Sequence, residues 1–342
     1  MTQQKHIILQ AALLAAATLA SQATLAQGAF TERTIRMSTG VGKTHPIGLG
    51  MTKMAQCAAE KSGGKMKLMS YHDNALGNDT TASQQVRTGS LEMVLTSTAP
   101  LVGAIPQLAV FDLPFLFTNE READQVLDGK VGDSFAPKFA TAGLVNLAYW
   151  ENGFRNVTNS RRAVTKVEDM QGVKLRVMQN KVYLDTFSAL GSNPVPMAFS
   201  EVYSALETNT VDGQENPIAL IDNMKFYEVQ KYLSLKRHSY SPVAVLYSKS
   251  LFDKLSSAEQ ATLRECAIVG RDESRRIGRA QENTTINALK SKGLQVNEIS
   301  SAEMARMRER VKPVVDAQVK VIGEETVHAV MAELSKIRGS AK

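Results

Sequence analysis

Residues 173–217 of this 342-residue chain read VKLRVMQNKVYLDTFSALGSNPVPMAFSEVYSALETNTVDGQENP, and their hydrophobic pattern changes repeatedly between strand and helix. Short apolar runs favour strands, whereas apolar residues at helical spacing favour helices, the second of which is capped by Ser200. The predicted elements are a strand at 173–178, a helix at 181–191, a strand at 193–197, a helix at 201–209 and a strand at 210–217. This order predicts a mostly parallel sheet covered by helices.

The same alternation continues on both sides of this stretch. Further strands are predicted at 34–39, 66–71, 91–97, 144–150 and 238–249. One helix is predicted to begin at Pro46, another is capped by Asp79, and a third occupies residues 218–233. Two further helices follow capping boxes formed by Ser256 with Glu259 and by Ser300 with Glu303. We therefore expect an α/β fold of two lobes joined by continuous strands, with long C-terminal helices.

Such a fold places a ligand in a cleft between the lobes, at the carboxyl ends of the strands. The expected lobe I comprises residues 27–152 plus about 238–255. The expected lobe II comprises residues 153–237 plus about 256–342.

The first 26 residues predict a secretory signal peptide. Lys5 precedes an almost uncharged run from Ile7 to Ala20, which is too short to span a bilayer comfortably, and the small residues up to Ala26 fit a cleavage site. Removing this segment lowers the net charge of +6 by one. A soluble periplasmic protein is expected.

The sequence offers little for catalysis, nucleotides or nucleic acids. The stretch RMSTGVGKTHP at 36–46 ends like a phosphate-binding loop, but Met37 stands where that loop requires its first glycine. No catalytic or metal-binding motif is present, so we expect no enzyme, no cofactor and no metal. An exported lyase or isomerase with Asp79 or His45 as base is the enzymatic alternative. Basic residues alternate with acidic ones and lack an aromatic platform, which argues against nucleic acid.

Cys57 and Cys266 are the two cysteines of the chain. Both lie in helical patterns, far apart in the sequence. A disulfide and two buried thiols are both compatible with an exported protein, and we favour the two thiols.

Three polar residues stand where a ligand would meet the predicted sheet. Arg176 lies inside an apolar strand, where a cation is costly unless it is paired or faces a cleft. It therefore forms either a structural ion pair or a bidentate clamp for a carboxylate. Arg155 follows the last strand of lobe I, and Asn216 ends a strand as a ligand contact or a turn residue.

The residues from about 150 to 230 closely resemble the periplasmic solute-binding proteins of TRAP transporters, the DctP-type family. The run PMAFSEVYSAL followed by VDGQENP carries the resemblance, which extends more loosely to ALGND at 75–79 and GSLEM at 89–93. The resemblance implies a two-lobe fold like that of periplasmic binding proteins.

The resemblance also implies a set of ligand-binding residues. The family's carboxylate-anchoring arginine falls on Arg176 and its accessory arginine on Arg155. Its ligand-facing asparagine falls on Asn216, and an aromatic that packs on the ligand falls on Phe199. Weaker matches and polar loop positions add Asp79, Ser97, His45 and Gln179.

By resemblance, the protein captures an organic acid and delivers it to the membrane subunits of a TRAP transporter; we expect a monomer. The polar loops favour a sugar acid such as a hexuronate, and a C4-dicarboxylate remains open. Ser97 and Pro100 replace charged residues of some sialic-acid-binding relatives, which argues against sialic acid. The alternative is a binding protein for a signalling receptor. In this interpretation Gly40 and Gly42 let the first loop approach the anion, with Thr44 and His45 as hydroxyl contacts or caps.

Overall fold

The computed structural model describes residues 30–340, and the predicted signal peptide lies outside them. Within that part of the chain, ten strands form one sheet in the order β2-β1-β3-β9-β4-β7-β5-β6, with β8 on β4 and β10 on β8. The strands are β1 (Arg33–Thr39), β2 (Met66–Tyr71), β3 (Met93–Ser97), β4 (Leu144–Asn159), β5 (Lys174–Val177), β6 (Asn193–Pro196), β7 (Gly213–Pro217), β8 (Tyr232–Leu235), β9 (Tyr240–Ser248) and β10 (Gln295–Glu298).

Helices cover both faces of this sheet. They are α1 (Pro46–Lys61), α2 (Asp79–Thr88), α3 (Glu120–Leu127), α4 (Lys130–Asp133), α5 (Ala136–Thr141), α6 (Lys181–Ala189), α7 (Val202–Glu207), α8 (Ile218–Asn223), α9 (Lys249–Phe252), α10 (Ser257–Ser291), α11 (Ser301–Ile322) and α12 (Glu324–Gly339). Between residues 30 and 340, none of them is long and apolar enough to cross a membrane.

The sheet has two halves that share strand β4. In the first half, β1 pairs in parallel with β2 and β3, and in the second half β5 pairs in parallel with β6 and β7, as predicted. The whole sheet is nevertheless mixed, because β9 and β4 run antiparallel to their neighbours. The first part of β4 pairs with β9 as far as Phe154, and its last part pairs with β7 from Arg155 onward. Arg155 therefore lies where the chain passes from one half to the other.

Helix α10 extends across both halves. Its predicted capping box, Ser256 with Glu259, is present in full, whereas at α11 only the Ser300 half of the predicted box forms. On the first half, the indole of Trp150 donates to the carbonyl of Ala267 in α10 over 2.8 Å. A Cβ added at Gly270 would lie 2.5 Å from the Trp150 ring, so this crossing requires glycine.

The prediction of one helix at 218–233 is wrong. Helix α8 ends at Asn223, Lys225 adopts a left-handed backbone with φ of 54°, and residues 232–235 form strand β8. The strand is favoured because it pairs with both β4 and β10, and these partners are distant in the sequence.

The expectation of two buried thiols is also wrong. Cys57 of α1 and Cys266 of α10 form a disulfide between positions 209 residues apart. The bond is possible because α1 packs along α10, a contact that neither helix reveals by itself. It joins the first helix of the first half to the helix that spans both halves.

We predict that losing this bond destabilises the protein without changing its fold. A cross-link that closes so long a loop restricts the unfolded chain, so its loss should lower the free energy of unfolding by roughly 2 to 5 kcal/mol. Thermal melts of the wild type with and without a thiol reductant, and of the Cys57→Ala/Cys266→Ala double variant, measure the effect. The double variant is the control, because the reductant should not move its midpoint. An unchanged wild-type midpoint after complete reduction contradicts the prediction.

Candidate functional site

A cleft of about 630 Å³ opens where the two halves of the sheet meet. Its floor comes from the strand ends of both halves, and its walls come from the loops before α1, α2 and α7. The lining residues are Thr39, Gly40, Val41, Ile47, Asn78, Asp79, Thr80, Leu95, Thr96, Ser97, Pro100, Asn152, Arg155, Arg176, Met178, Gln179, Met197, Ala198, Phe199, Asn216, Leu220 and Val243. The cleft is thus concave and mixed in polarity, as binding sites for small organic molecules commonly are.

The structure brings seven of the eight predicted site residues together at this cleft. They are Arg176, Arg155, Asn216, Phe199, Gln179, Asp79 and Ser97. His45 is not among the lining residues.

Arg176 is buried in the wall of the cleft, with 2% of its surface exposed. Its Nε and Nη2 donate to the carbonyl of Met197 over 3.1 and 2.8 Å, while its Nη1 is buried without a hydrogen-bond partner. Between residues 30 and 340 it forms no salt bridge, and burial lowers its pKa to about 10. The side chain is therefore held in place by a neutral acceptor and makes no direct ion pair, although the charges of Glu215, Asp79 and Glu201 act on it from a distance.

Arg155 differs from Arg176 because its charge is neutralised. Its Nε donates to Oε2 of buried Glu215 over 2.5 Å and its Nη2 donates to Oε1 over 2.8 Å. Burial would raise the pKa of Glu215, but the Arg155 charge and a hydrogen bond with His238 outweigh it and lower that pKa to about 2. Arg155 also donates to Asn216 Oδ1 over 3.0 Å and so fixes the position of that amide.

Asp79 lies on the opposite side of the cleft. The predicted cap of α2 is wrong by one residue: Asn78 caps the helix by accepting from Thr81 N, which leaves the carboxylate of Asp79 free to face the cleft. Thr96 donates to it over 3.0 Å. Burial raises the pKa of Asp79 although the hydrogen bond from Thr96 and the charge of Arg176 act to lower it.

Phe199 and Ser97 complete the contacts that the sequence predicts. The ring of Phe199 lies 6.0 Å from the guanidinium carbon of Arg176 and presents an apolar surface beside it. Ser97 shares a hydrogen bond of 3.1 Å with Ser241, so its hydroxyl is already engaged at the rim.

His45 is the N-cap of α1, the second of the two roles considered for it. Its Nδ1 accepts from the backbone of Ile47 over 3.2 Å, and the residue is buried away from the cleft. Burial lowers its pKa to about 3, so the ring is neutral and its proton lies on Nε2. Gly40 lines the cleft, whereas Gly42, which was also expected to let the loop approach the anion, does not line it and donates its N–H to Asn223 Oδ1.

Sequence reasoning missed the buried groups beneath the cleft. Glu215 holds Arg155 and accepts a hydrogen bond from His238 Nε2 over 3.0 Å, and Lys236 is buried with no hydrogen-bond partner for its Nζ. Burial lowers the pKa of Lys236 to about 7. The one available signal was Glu215 itself, a carboxylate in a predicted strand of an α/β core. Within residues 30–340, no group of acidic, histidine or cysteine side chains is placed to hold a metal ion.

Comparison with known proteins identifies the family. The DctP family model, described as bacterial extracellular solute-binding protein, family 7, matches residues 37–321. The chain belongs to this family. The predicted membership in the DctP-type TRAP solute-binding proteins and the predicted fold are confirmed, and the family and fold are those of binding proteins rather than enzymes.

Three relatives show the range of the similarity. The sugar acid binding protein DctPAm of Advenella mimigardefordensis, solved in complex with galactonate, is 43% identical with a TM-score of 0.88, covering 90% of this chain and 99% of that one. The 2,3-diketo-L-gulonate-binding periplasmic protein YiaO of Escherichia coli is 35% identical over 278 residues, 81% of this chain and 85% of the relative. The C4-dicarboxylate-binding periplasmic protein DctP of Rhodobacter capsulatus is 31% identical over 302 residues, 87% of this chain and 90% of the relative.

We predict that His45→Asn changes the pH dependence of stability but not ligand binding. The unfolded chain gains a proton at His45 near its ordinary pKa of 6.5, whereas the folded chain gains it only near 3, so this residue removes stability as the pH falls through that window. Asparagine keeps an N-capping oxygen and does not titrate, so the acid-side decline should become shallower, by up to about 1.4 kcal/mol per pH unit.

Denaturant unfolding at a series of pH values measures this decline. The exposed His328→Asn variant is the matched control and should follow the wild type. A dissociation constant for the ligand that rises more than about tenfold in His45→Asn would instead place this residue in the binding site.

Proposed function

We propose that this protein captures a sugar acid in the cleft and delivers it to the membrane subunits of a TRAP transporter. The predicted signal peptide at residues 1–26 and the periplasmic names of the relatives support export to the periplasm. Family membership supports a role as the solute-binding subunit.

One observation carries the choice of an acid as ligand. Arg176 lines the cleft with a buried charge, a free Nη1 and no carboxylate partner among residues 30–340. A buried cation without a direct ion-pair partner is unfavourable, and a carboxylate that accepts from Nη1 would supply that partner and the missing hydrogen bond. The contact with Met197 orients the guanidinium before the ligand arrives, which lowers the entropy lost on binding.

The charges around Arg176 support a ligand with one carboxylate. The second arginine of the cleft, Arg155, is already paired with Glu215 and offers no free charge for another carboxylate. Asp79 contributes a carboxylate to the same cleft. Two negative groups brought together in a partly buried cleft repel each other, whereas Asp79 readily accepts a hydrogen bond from a hydroxyl group.

A polyhydroxylated monocarboxylate therefore fits this cleft better than a C4-dicarboxylate. Thr39, Thr96 and Gln179 supply further polar groups along its walls, and Phe199 packs against the carbon chain. The galactonate complex of the DctPAm protein and the 2,3-diketo-L-gulonate for which the YiaO protein is named are consistent with this class.

Binding is expected to close the two lobes over the acid. The ligand meets Arg176 on lobe II, and Asp79 and Thr96 on lobe I then reach its hydroxyls, so that each lobe gains contacts only in the closed form. The closed form is the one that docks on the membrane subunits.

We predict that Arg176→Ala abolishes binding of galactonate, used here as the probe. Truncating one partner of a buried charge pair costs about 2 to 5 kcal/mol, which raises the dissociation constant by a factor of roughly 30 or more. Arg176→Lys should also bind poorly, because an ammonium cannot reproduce the planar fork. Isothermal titration calorimetry measures both affinities.

The exposed Arg121→Ala variant, on the outside of α3, is the matched control and should bind like the wild type. Circular dichroism and thermal melts of Arg176→Ala establish that the fold is retained. Wild-type affinity in a folded Arg176→Ala protein would refute the assignment of the carboxylate site.

We predict that Asp79→Asn shifts selectivity from sugar acids towards dicarboxylates. The amide removes the negative charge and provides a donor, so succinate should bind more tightly than it does to the wild type, while galactonate should lose up to about tenfold in affinity. Competition titrations of both acids against both proteins give the selectivity ratio. An unchanged ratio would exclude Asp79 as the residue that selects between the two classes.

A further inference from the structure

The loop formed by residues 40–44 touches the end of helix α8 from across the cleft. Asn223, the last residue of α8, accepts a hydrogen bond from the Gly42 backbone over 3.1 Å. Its Nδ2 donates to Thr44 Oγ1 over 3.3 Å. These bonds join the first strand-to-helix loop of one half to a helix of the other half, 181 residues away.

The side-chain amide of Asn223 occupies the space beside Gly42. A Cβ at position 42 would lie 3.0 Å from Oδ1 and 3.1 Å from Nδ2 of Asn223, which is tighter than an ordinary contact. Gly42 does not have the left-handed backbone that favours glycine, since no positive φ occurs there. Glycine at this position thus gives Asn223 room for its close approach and is not required by a turn.

Asn223 is rigidly connected to residues that line the cleft. Strand β7 and helix α8 follow each other directly, so Asn216, Leu220 and Asn223 lie on one continuous segment. Asn216 and Leu220 line the cleft, and Leu220 belongs to the same apolar cluster as Val41 and Ile47 of the first half. Leu220 and Asn223 are three residues apart and therefore share a face of the helix. A movement that brings Leu220 over the ligand also brings Asn223 to the loop.

We propose that Asn223 is a positioning residue that latches the closed form by binding the 40–44 loop. The proposal rests on the proposed function of the cleft. Asn223 does not line the cleft, so it acts on the ligand only through closure. A contact made after encounter slows release and leaves association unchanged, so the latch sets how long the solute stays bound.

The first test compares ligand kinetics in Asn223→Ala and the wild type by stopped-flow fluorescence with galactonate. Losing two hydrogen bonds should speed release roughly 3- to 30-fold, with the association rate within about twofold of the wild type. Thermal melts without ligand accompany the kinetics, so that a loss of fold stability is separated from faster release. Asn223→Asp should restore slow release, since a carboxylate accepts from both the Gly42 N–H and the Thr44 O–H. Asn283→Ala, at an exposed site on α10, is the matched control.

The second test is a double-mutant cycle between positions 42 and 223. Gly42→Ala alone should speed release because its Cβ would displace the Asn223 amide by a few tenths of an ångström, whereas the same change in the Asn223→Ala background should have no further effect. Additive effects of the two changes overturn the latch.

The two failures can be told apart. Wild-type release from Asn223→Ala, in an experiment where Arg176→Ala has lost binding, overturns the latch alone. A wild-type protein that binds neither galactonate nor any other tested organic acid overturns the latch and the proposed function together.

Discussion

The site depends on an unequal distribution of charge around two buried arginines. Glu215 is the buried carboxylate between them, and it is committed to Arg155 and His238. Its field supports Arg176 from a distance, yet burial, together with repulsion from Arg155, still leaves the pKa of Arg176 lowered to about 10. The folded protein therefore maintains at this cleft a cation whose environment opposes its charge. Such an arrangement lowers stability, and under the proposed function a bound anion would relieve it, which is a common relation between binding sites and stability.

The position of this pair follows from the path of strand β4. The strand leaves β9 at Phe154 and joins β7 at Arg155, just after an irregularity at Gly153, whose φ is 110°. Arg155, which is anchored by its ion pair with Glu215, thus lies at the junction between the halves. Arg155 is held by Glu215 and its backbone N–H donates to the Ser239 carbonyl, so the charge at this junction is balanced locally. The same cleft thus contains two arginines in different states. Arg155 is paired with Glu215 at the junction, and Arg176 beside it has no direct ion-pair partner.

Much of this could be predicted from the sequence, and the exceptions share a cause. The strands around 173–217 followed from local periodicity, and Arg176 stood out because a cation in an apolar strand requires an explanation. The pairing of Arg155 with Glu215 depends on the β4–β7 register, and the disulfide depends on the packing of α1 along α10. Neither contact can be inferred from a local sequence pattern. Strand β8 was missed for the same reason, since its pairing partners are remote. Local sequence patterns predicted most of the strands and helices, whereas tertiary contacts determine which polar groups remain without a partner.

The loop within residues 36–46, which ends like a phosphate-binding loop in sequence, shows how hydrogen-bond partners limit what a loop can bind. A phosphate-binding loop needs several unpaired amides at a helix N-terminus. Here Pro46 has no N–H, Ile47 donates to His45, and Gly42 donates to Asn223, so these amides are no longer available to an anion. Under the proposed function, the positive charge for the solute comes instead from Arg176, which lines the cleft. Recognition and closure are then separate tasks in that proposal: a buried cation selects the acid group, and neutral hydrogen bonds join the lobes. Neutral groups lose less hydration energy than charges when they come together, so the lobes can close firmly around the solute and still reopen to release it.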